Sequence, residues 1–183
     1  MAKNFTIFPD YLSNTLRIKL LQTALNNWHS GAVYYQPCGK RGYFNLNDRH
    51  PEYLTEIDNL LLRIMEYFNV TEDFYRPARH FIGINLPTAF VAPHIDQPQF
   101  VSNYSDKVKN WIEIRFNTFL QRCENGGIPI IDKTLVPLKD GESLAFRADV
   151  IHSTTPVLGN TTRVTLSIGS VVNPEVINFL NND

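Results

Sequence analysis

The stretch Arg163-Val164-Thr165-Leu166-Ser167-Ile168 alternates polar and apolar side chains without a break. A period of two marks an extended strand, whose successive side chains point to opposite faces. Burying such a strand sets its apolar face on a core and its polar face on something able to satisfy it, because a polar group taken out of water without a partner costs free energy. A guanidinium and two hydroxyls on one face therefore predict a barrel interior that holds a ligand. The fork of donors on Arg163 matches a carboxylate and Thr165 adds one more hydrogen bond, which suits the far end of a dicarboxylic acid.

Working outward, the second half of the chain keeps this character. His80 to Leu86, Trp111 to Gln121, Gly127 to Asp132 and Ser143 to Arg147 are short runs rich in β-branched and aromatic residues. Asn125-Gly126-Gly127, Asp140-Gly141 and Gly159-Asn160 separate them as turns, at the close spacing of sandwiches and barrels. The Gly126-Gly127 pair reads as a tight turn, since no helix follows it to make a phosphate loop.

The first part of the chain has a helical period instead. Leu12, Leu16, Leu20, Leu21, Ala24, Leu25 and Trp28 fall mostly three or four apart, with Asp10 as the expected N-cap. Leu54, Ile57, Leu60, Leu61, Ile64, Met65 and Phe68 repeat the pattern just after Pro51, a residue suited to a first helical turn. Two helices followed by a run of strands predict an α+β, mainly β domain: a jelly roll with the N-terminal helices packed on one sheet and an open mouth for a ligand. We expect one domain over 1–183, with 1–78 as mainly helical support, 79–173 as the β core and 174–183 as a C-terminal tail or helix.

Bulk properties narrow the partners. The 183 residues, 43% of them apolar, suffice to bury one sizeable core. With 17 basic against 18 acidic residues the formal charge is −1 and no basic stretch tracks phosphates, so nucleic acid is not expected. There is no apolar run behind a basic start and no stretch of ~18 apolar residues, so a soluble, cytoplasmic protein without a membrane partner is expected. Cys38 and Cys123 lack CxxC spacing and are expected as free thiols.

In Ala92-Pro93-His94-Ile95-Asp96 the side chains of His94 and Asp96 lie two apart on an extended segment, facing the same way with backbones roughly 6.6 Å apart. His152, 56 positions beyond Asp96, and Arg163, 11 beyond His152, complete an ordered pattern far more specific than His-x-Asp alone. Two imidazoles and one carboxylate make a facial triad that leaves positions open on a divalent ion, as non-haem Fe(II) needs. A closed zinc site would want a fourth protein ligand, and no thiolate pair offers one.

This combination of His-x-Asp, a distal His and an Arg-x-Thr after the Gly159-Asn160 turn resembles the Fe(II)- and 2-oxoglutarate-dependent dioxygenase superfamily over roughly residues 80–172. The resemblance implies a double-stranded β-helix, Fe(II) at His94, Asp96 and His152, and 2-oxoglutarate chelated through its keto acid end with its other carboxylate on Arg163 and Thr165. It further implies oxidation of a substrate carbon by O2 as 2-oxoglutarate is converted to succinate and CO2. Arg115 and Asn117 share a face of Glu113-Ile114-Arg115-Phe116-Asn117-Thr118-Phe119. They resemble the Arg-x-His or Arg-x-Asn strand of the aspartyl and prolyl hydroxylase branch, where the Arg helps hold the keto acid end. The 97–114 stretch is longer than that branch carries and suggests a substrate lid with Gln97, Gln99, Phe100, Asn103, Tyr104, Lys107 and Lys109.

The expected reaction is hydroxylation of an amino acid, a peptidyl side chain or a small polar metabolite. Asp96 argues against halogenation, since a halide would take the carboxylate's place. Two other readings stand beside it: a cupin-like metal protein acting as isomerase or small-acid sensor, and a non-catalytic jelly-roll binding module. His29, His50 and His80 have no carboxylate two residues on and read as structural, as do Tyr34, Tyr35, Tyr43, Phe44, Phe74 and Tyr75, whose types are more often core or rim. For Arg115 and Asn117 a solvated strand face or an ion pair with Glu113 is the competing reading.

Overall fold

A computed structural model describes residues 4–27, 32–34, 38–46, 50–70, 74–96 and 110–174, with backbone alone for 32–34 and 75–79. In chain order the elements are β1 (Phe5–Pro9), α1 (Asn14–Asn27), β2 (Ala32–Tyr34), β3 (Arg41–Asn45) and a 3-10 turn at Pro51–Tyr53 leading into α2 (Leu54–Tyr67). There follow β4 (Phe74–Asn85), β5 (Ile112–Gln121), β6 (Asn125–Gly126), β7 (Pro129–Ile131), β8 (Thr134–Leu135), β9 (Glu142–Arg147), β10 (His152–Thr154), β11 (Val157–Leu158) and β12 (Arg163–Val172).

A seven-stranded sheet in the order β1-β9-β5-β12-β4-β3-β2 faces two smaller pieces, β10-β7-β8 and β11-β6. Every pairing between strands is antiparallel. The helices cover the outer face of the large sheet. Leu20 and Ala24 of α1 and Ile57, Leu60, Leu61, Ile64 and Met65 of α2 share one core with Ile82 and Ile84 of β4, Ile114 and Phe116 of β5, and Val164, Leu166 and Ile168 of β12. Each of these side chains larger than Ala24 contributes about 1.5–3 kcal/mol by leaving water. A second cluster, Phe119, Ile131, Val136, Leu138, Leu144 and Phe146, joins the large sheet to the small one.

This layering explains the alternation in β12. All ten of its residues are buried, yet only Val164, Leu166, Ile168 and Val172 lie in the helix-side core. Arg163, Thr165 and Ser167 line the cavity on the opposite face. The jelly-roll expectation and the strands expected over the second half of the chain hold.

Three local expectations are corrected. Helix α1 starts at Asn14, and Ser13 caps it: its Oγ accepts from the Leu16 N–H at 3.2 Å. Asp10 instead accepts from the Leu12 N–H at 2.8 Å and pairs with Arg17, because strand β1 runs up to Pro9 and the Asp10 N–H donates to Gly141 O at 2.8 Å. Strand β4 begins at Phe74, ahead of the expected start at His80 and with Pro77 inside it. The ladder with β12 slips there, Gly169 facing Arg79 and Val171 facing Tyr75, and a residue without an N–H is tolerated at such an irregularity. Finally, 1–78 is more than helical support, since β1, β2 and β3 join the large sheet. Trp28, His29, Tyr35, the 97–109 part of the expected lid and residues 175–183 lie outside the described residues.

Candidate active site

His94 and His152 sit on facing segments joined by a pair of backbone hydrogen bonds, His94 N–H to His152 O at 3.0 Å and His152 N–H to His94 O at 2.8 Å. The Asp96 N–H donates to Ala148 O at 2.9 Å. Residues 58 positions apart in sequence are thereby fixed side by side, with the imidazole centroids 4.2 Å apart. One ligand atom from each of His94, Asp96 and His152 lies within 4.8 Å of the others. Among the described residues this is the one group of three that could hold a metal ion.

The tautomers suit a metal. Nδ1 of His94 lies 2.8 Å from Ala92 O and Nδ1 of His152 lies 2.8 Å from Val150 O. A carbonyl can only accept, so in the neutral ring Nδ1 carries the proton and Nε2 the lone pair. Those Nε2 atoms stand 3.6 and 4.0 Å from the Asp96 carboxylate. The hydrogen bond with Asp96 holds His94 above its ordinary value, against the effect of burial, whereas burial lowers His152. Burial resists ionisation of Asp96, but the hydrogen bond from His94 and the Arg115 and His152 charges outweigh it and hold the carboxyl well below the usual range.

The triad opens on a cavity of about 440 Å³ lined by polar residues of β3, β4, β5 and β12 and by Val91, Pro129, Ile131 and Phe146. Strand register sets rows of side chains across its floor: Arg41, Asn85 and Arg163 in one row, and Tyr43, Gly83 and Thr165 in the next. Arg163 is 6% exposed and stacks over the Phe119 ring, its carbon Cζ 4.8 Å from the centroid. Arg163 Nε, Thr165 Oγ1 and Asn85 Nδ2 are buried without a hydrogen-bond partner among the described residues. Burial pushes the Arg163 guanidinium down to about 10, with Arg41 adding to the effect and Cys123 opposing it. A buried cation and three orphaned polar atoms at one end of a cavity are suited to a ligand's carboxylate.

All seven candidates, His94, Asp96, His152, Arg163, Thr165, Arg115 and Asn117, line this cavity. Arg115 is engaged with carboxylates: its Nε donates to Asp96 Oδ2 at 3.0 Å and Nη2 lies 2.9 Å from Glu113 Oε1. Asn117 Oδ1 is buried without a partner among the described residues. His80 is buried on the other side of the sheet beside Asp58, at 3.7 Å, and His50 Nδ1 lies 3.0 Å from Glu52. Neither histidine joins the triad. Phe44 packs in the helix-side core with Phe74 against it, whereas Tyr43 lines the cavity.

Sequence reasoning missed Asn85, Arg41 and Phe81. Asn85 was accessible to it, because Phe81, Gly83 and Asn85 alternate along the His80 to Leu86 run. Arg41 carried no signal, since only strand pairing brings β3 alongside β4.

No family model and no curated protein matches this chain. Solved structures do. The non-haem α-ketoglutarate-dependent epimerase SnoN of nogalamycin biosynthesis superposes with a TM-score of 0.70 at 14% identity, over 98% of this chain and 84% of its own. A viral collagen prolyl hydroxylase from Paramecium Bursaria Chlorella virus-1, in complex with 2-oxoglutarate, gives 0.65 at 14% identity, over 93% and 97%. HygX from Streptomyces hygroscopicus, with nickel and 2-oxoglutarate bound, gives 0.63 at 12%, over 94% and 84%. The chain therefore has the double-stranded β-helix fold of the Fe(II)- and 2-oxoglutarate-dependent oxygenases. Among the described residues no helix is long and apolar enough to cross a membrane.

Proposed function

We propose that this protein is an Fe(II)- and 2-oxoglutarate-dependent oxygenase, with the ion on His94, Asp96 and His152 and the far carboxylate of 2-oxoglutarate on Arg163, Thr165 and Asn85. One observation carries the reading: a single cavity holds both the two-imidazole, one-carboxylate cluster and, at another part of its wall, a buried guanidinium with orphaned donors. The donor set fits Fe(II), being nitrogen and oxygen with positions left open. The cavity falls within the usual size for small-molecule sites.

Fe(II) held there would, with 2-oxoglutarate and O2, supply the oxidising power for a substrate carbon, 2-oxoglutarate being converted to succinate and CO2. The chain's own residues do the positioning. His94 and His152 present neutral Nε2 lone pairs because their Nδ1 protons are held by carbonyls. Asp96 stays ionised across the physiological range. Arg163 gains an ion pair that relieves its burial, and Thr165 and Asn85 direct the carboxylate. Asn117 borders the keto acid end, with Arg115 held beside it by Asp96 and Glu113. Val91, Ile131 and Phe146 keep that wall of the site apolar.

The reaction we favour is hydroxylation, and the substrate class an amino acid, a peptidyl side chain or a small polar metabolite. The likeness in fold to prolyl hydroxylases supports the first choice, the cavity size the second. The test is an anaerobic titration of apo-protein with Fe(II) and 2-oxoglutarate, read by the visible charge-transfer band of a keto acid on ferrous iron. The band is expected in the wild type and weakened in Asp96→Ala and Arg163→Ala. If the wild type gives no band under any condition, the oxygenase reading fails and a cupin-like or non-catalytic role takes its place.

A further inference from the structure

Arg115 lines the cavity with its donors largely taken up by carboxylates, Nη1 alone being buried without a hydrogen-bond partner among the described residues. It is 2% exposed and lies between two carboxylates, donating from Nε to Asp96 Oδ2 at 3.0 Å with Nη2 2.9 Å from Glu113 Oε1. Its carbon Cζ rides 5.4 Å above the centre of the Phe81 ring. The backbone reinforces the pairing, since the Asp96 N–H donates to Ala148 O and the Ala148 N–H to Glu113 O, each at 2.9 Å. Gly169 faces Arg115 across the β5–β12 ladder, and a Cβ there would come within 2.7 Å of Arg115 Nη1 and 3.0 Å of Glu113 Oε1. A planar guanidinium is thus held by a ring, two carboxylates and a missing side chain, and its donor to Asp96 is directed at one oxygen only.

The other oxygen, Oδ1, lies 3.6 Å from His94 Nε2. A carboxylate offers an ion one oxygen or two, and the choice matters in a crowded coordination sphere. Two imidazoles, one carboxylate oxygen and the two oxygens of a chelating keto acid take five of the six positions of an octahedral ion. A second oxygen from Asp96 would fill the last. We propose that Glu113, Arg115 and Gly169 form a buried clamp on Asp96 Oδ2 that makes Asp96 a one-oxygen ligand and so keeps a coordination position open for dioxygen. Arg115 and Glu113 are positioning residues in this account, and the inference rests on the metal reading proposed above.

Nitric oxide, a stand-in for dioxygen that needs no turnover, tests it. Wild-type protein loaded anaerobically with Fe(II) and 2-oxoglutarate is titrated with nitric oxide and followed by electron paramagnetic resonance, with the charge-transfer band recording keto acid chelation. Glu113→Gln/Arg115→Met, which removes both charges at similar volume, is expected to keep the band and take up nitric oxide about tenfold more weakly, the scale on which partners of metal ligands act. Gly169→Ala, which displaces the guanidinium without deleting it, is expected to shift uptake in the same direction by a smaller factor. Nitric oxide uptake equal to wild type in both variants, with the band intact, overturns the clamp while leaving the oxygenase reading standing. Absence of any Fe(II) uptake by the wild type overturns the oxygenase reading itself, and the clamp with it.

Discussion

Replacing Arg163 by methionine separates what the residue does for ligand binding from what it does to the fold. A guanidinium pushed from its ordinary 12.5 down to about 10 bears a penalty for burial. At about 1.4 kcal/mol for each tenfold change, that penalty is about 3 kcal/mol in the ligand-free protein. Methionine keeps much of the volume and carries no charge, while losing the stacking on Phe119, worth about 1 kcal/mol. The net expectation is an apo-protein more stable by about 2 kcal/mol, or roughly 4–8 °C in Tm for a chain of this size. Affinity for 2-oxoglutarate moves the other way, because a charge-assisted pair contributes about 1.5–3 kcal/mol, so its loss costs roughly ten- to a hundredfold. Scanning calorimetry on apo-protein, and the same scans with saturating 2-oxoglutarate and Mn(II), read both quantities. The expected pattern is a raised apo Tm together with loss of the ligand-induced rise seen in the wild type. An apo Tm lowered by several degrees, or a ligand-induced rise of wild-type size, would refute the idea that Arg163 is a buried cation awaiting a carboxylate.

The proton on His94 competes with any metal, and Asp96 holds that proton above the ordinary 6.5. Co(II) affinity, measured calorimetrically, is therefore expected to fall as pH is lowered, starting above pH 6.5, whereas a flat profile from pH 8 to 6 contradicts the assignment. Thr165→Val keeps the shape and deletes one hydrogen bond, so 2-oxoglutarate should bind about five- to tenfold more weakly with unchanged Co(II) affinity. Gly126 has φ +71° and a Cβ there would lie 2.0 Å from Pro156 O; Gly126→Ala should cost at least the 1–3 kcal/mol of a strained backbone position in urea melts. Ile64→Ala, in the helix-side core far from the triad, should cost about 2–5 kcal/mol in the same melts and leave Co(II) affinity of the folded protein unchanged.

The sequence by itself determined the local grammar. Runs rich in β-branched and aromatic residues between glycine turns located β5, β7 and β9 to within two residues, period-two alternation located β12, and period-three-and-four runs located both helices, because side-chain direction along an extended or helical backbone is a local property. The candidate metal cluster was legible for the same reason: His94 and Asp96 sit two apart on one extended segment, and the ordered position of His152 pointed to the third member that the structure brings beside them. What only the tertiary structure decided depends on partners distant in the chain. Asp10 lost its expected capping role because β1 docks on β9, a pairing no local pattern encodes. Asn85 and Arg41 came beside Arg163 only through the β3–β4–β12 register. Arg115 found Asp96 across nineteen positions because the ladder and the Ala148 backbone bonds fold one segment over the other. Local periodicity fixes which face a side chain occupies, and strand pairing alone fixes what it meets there.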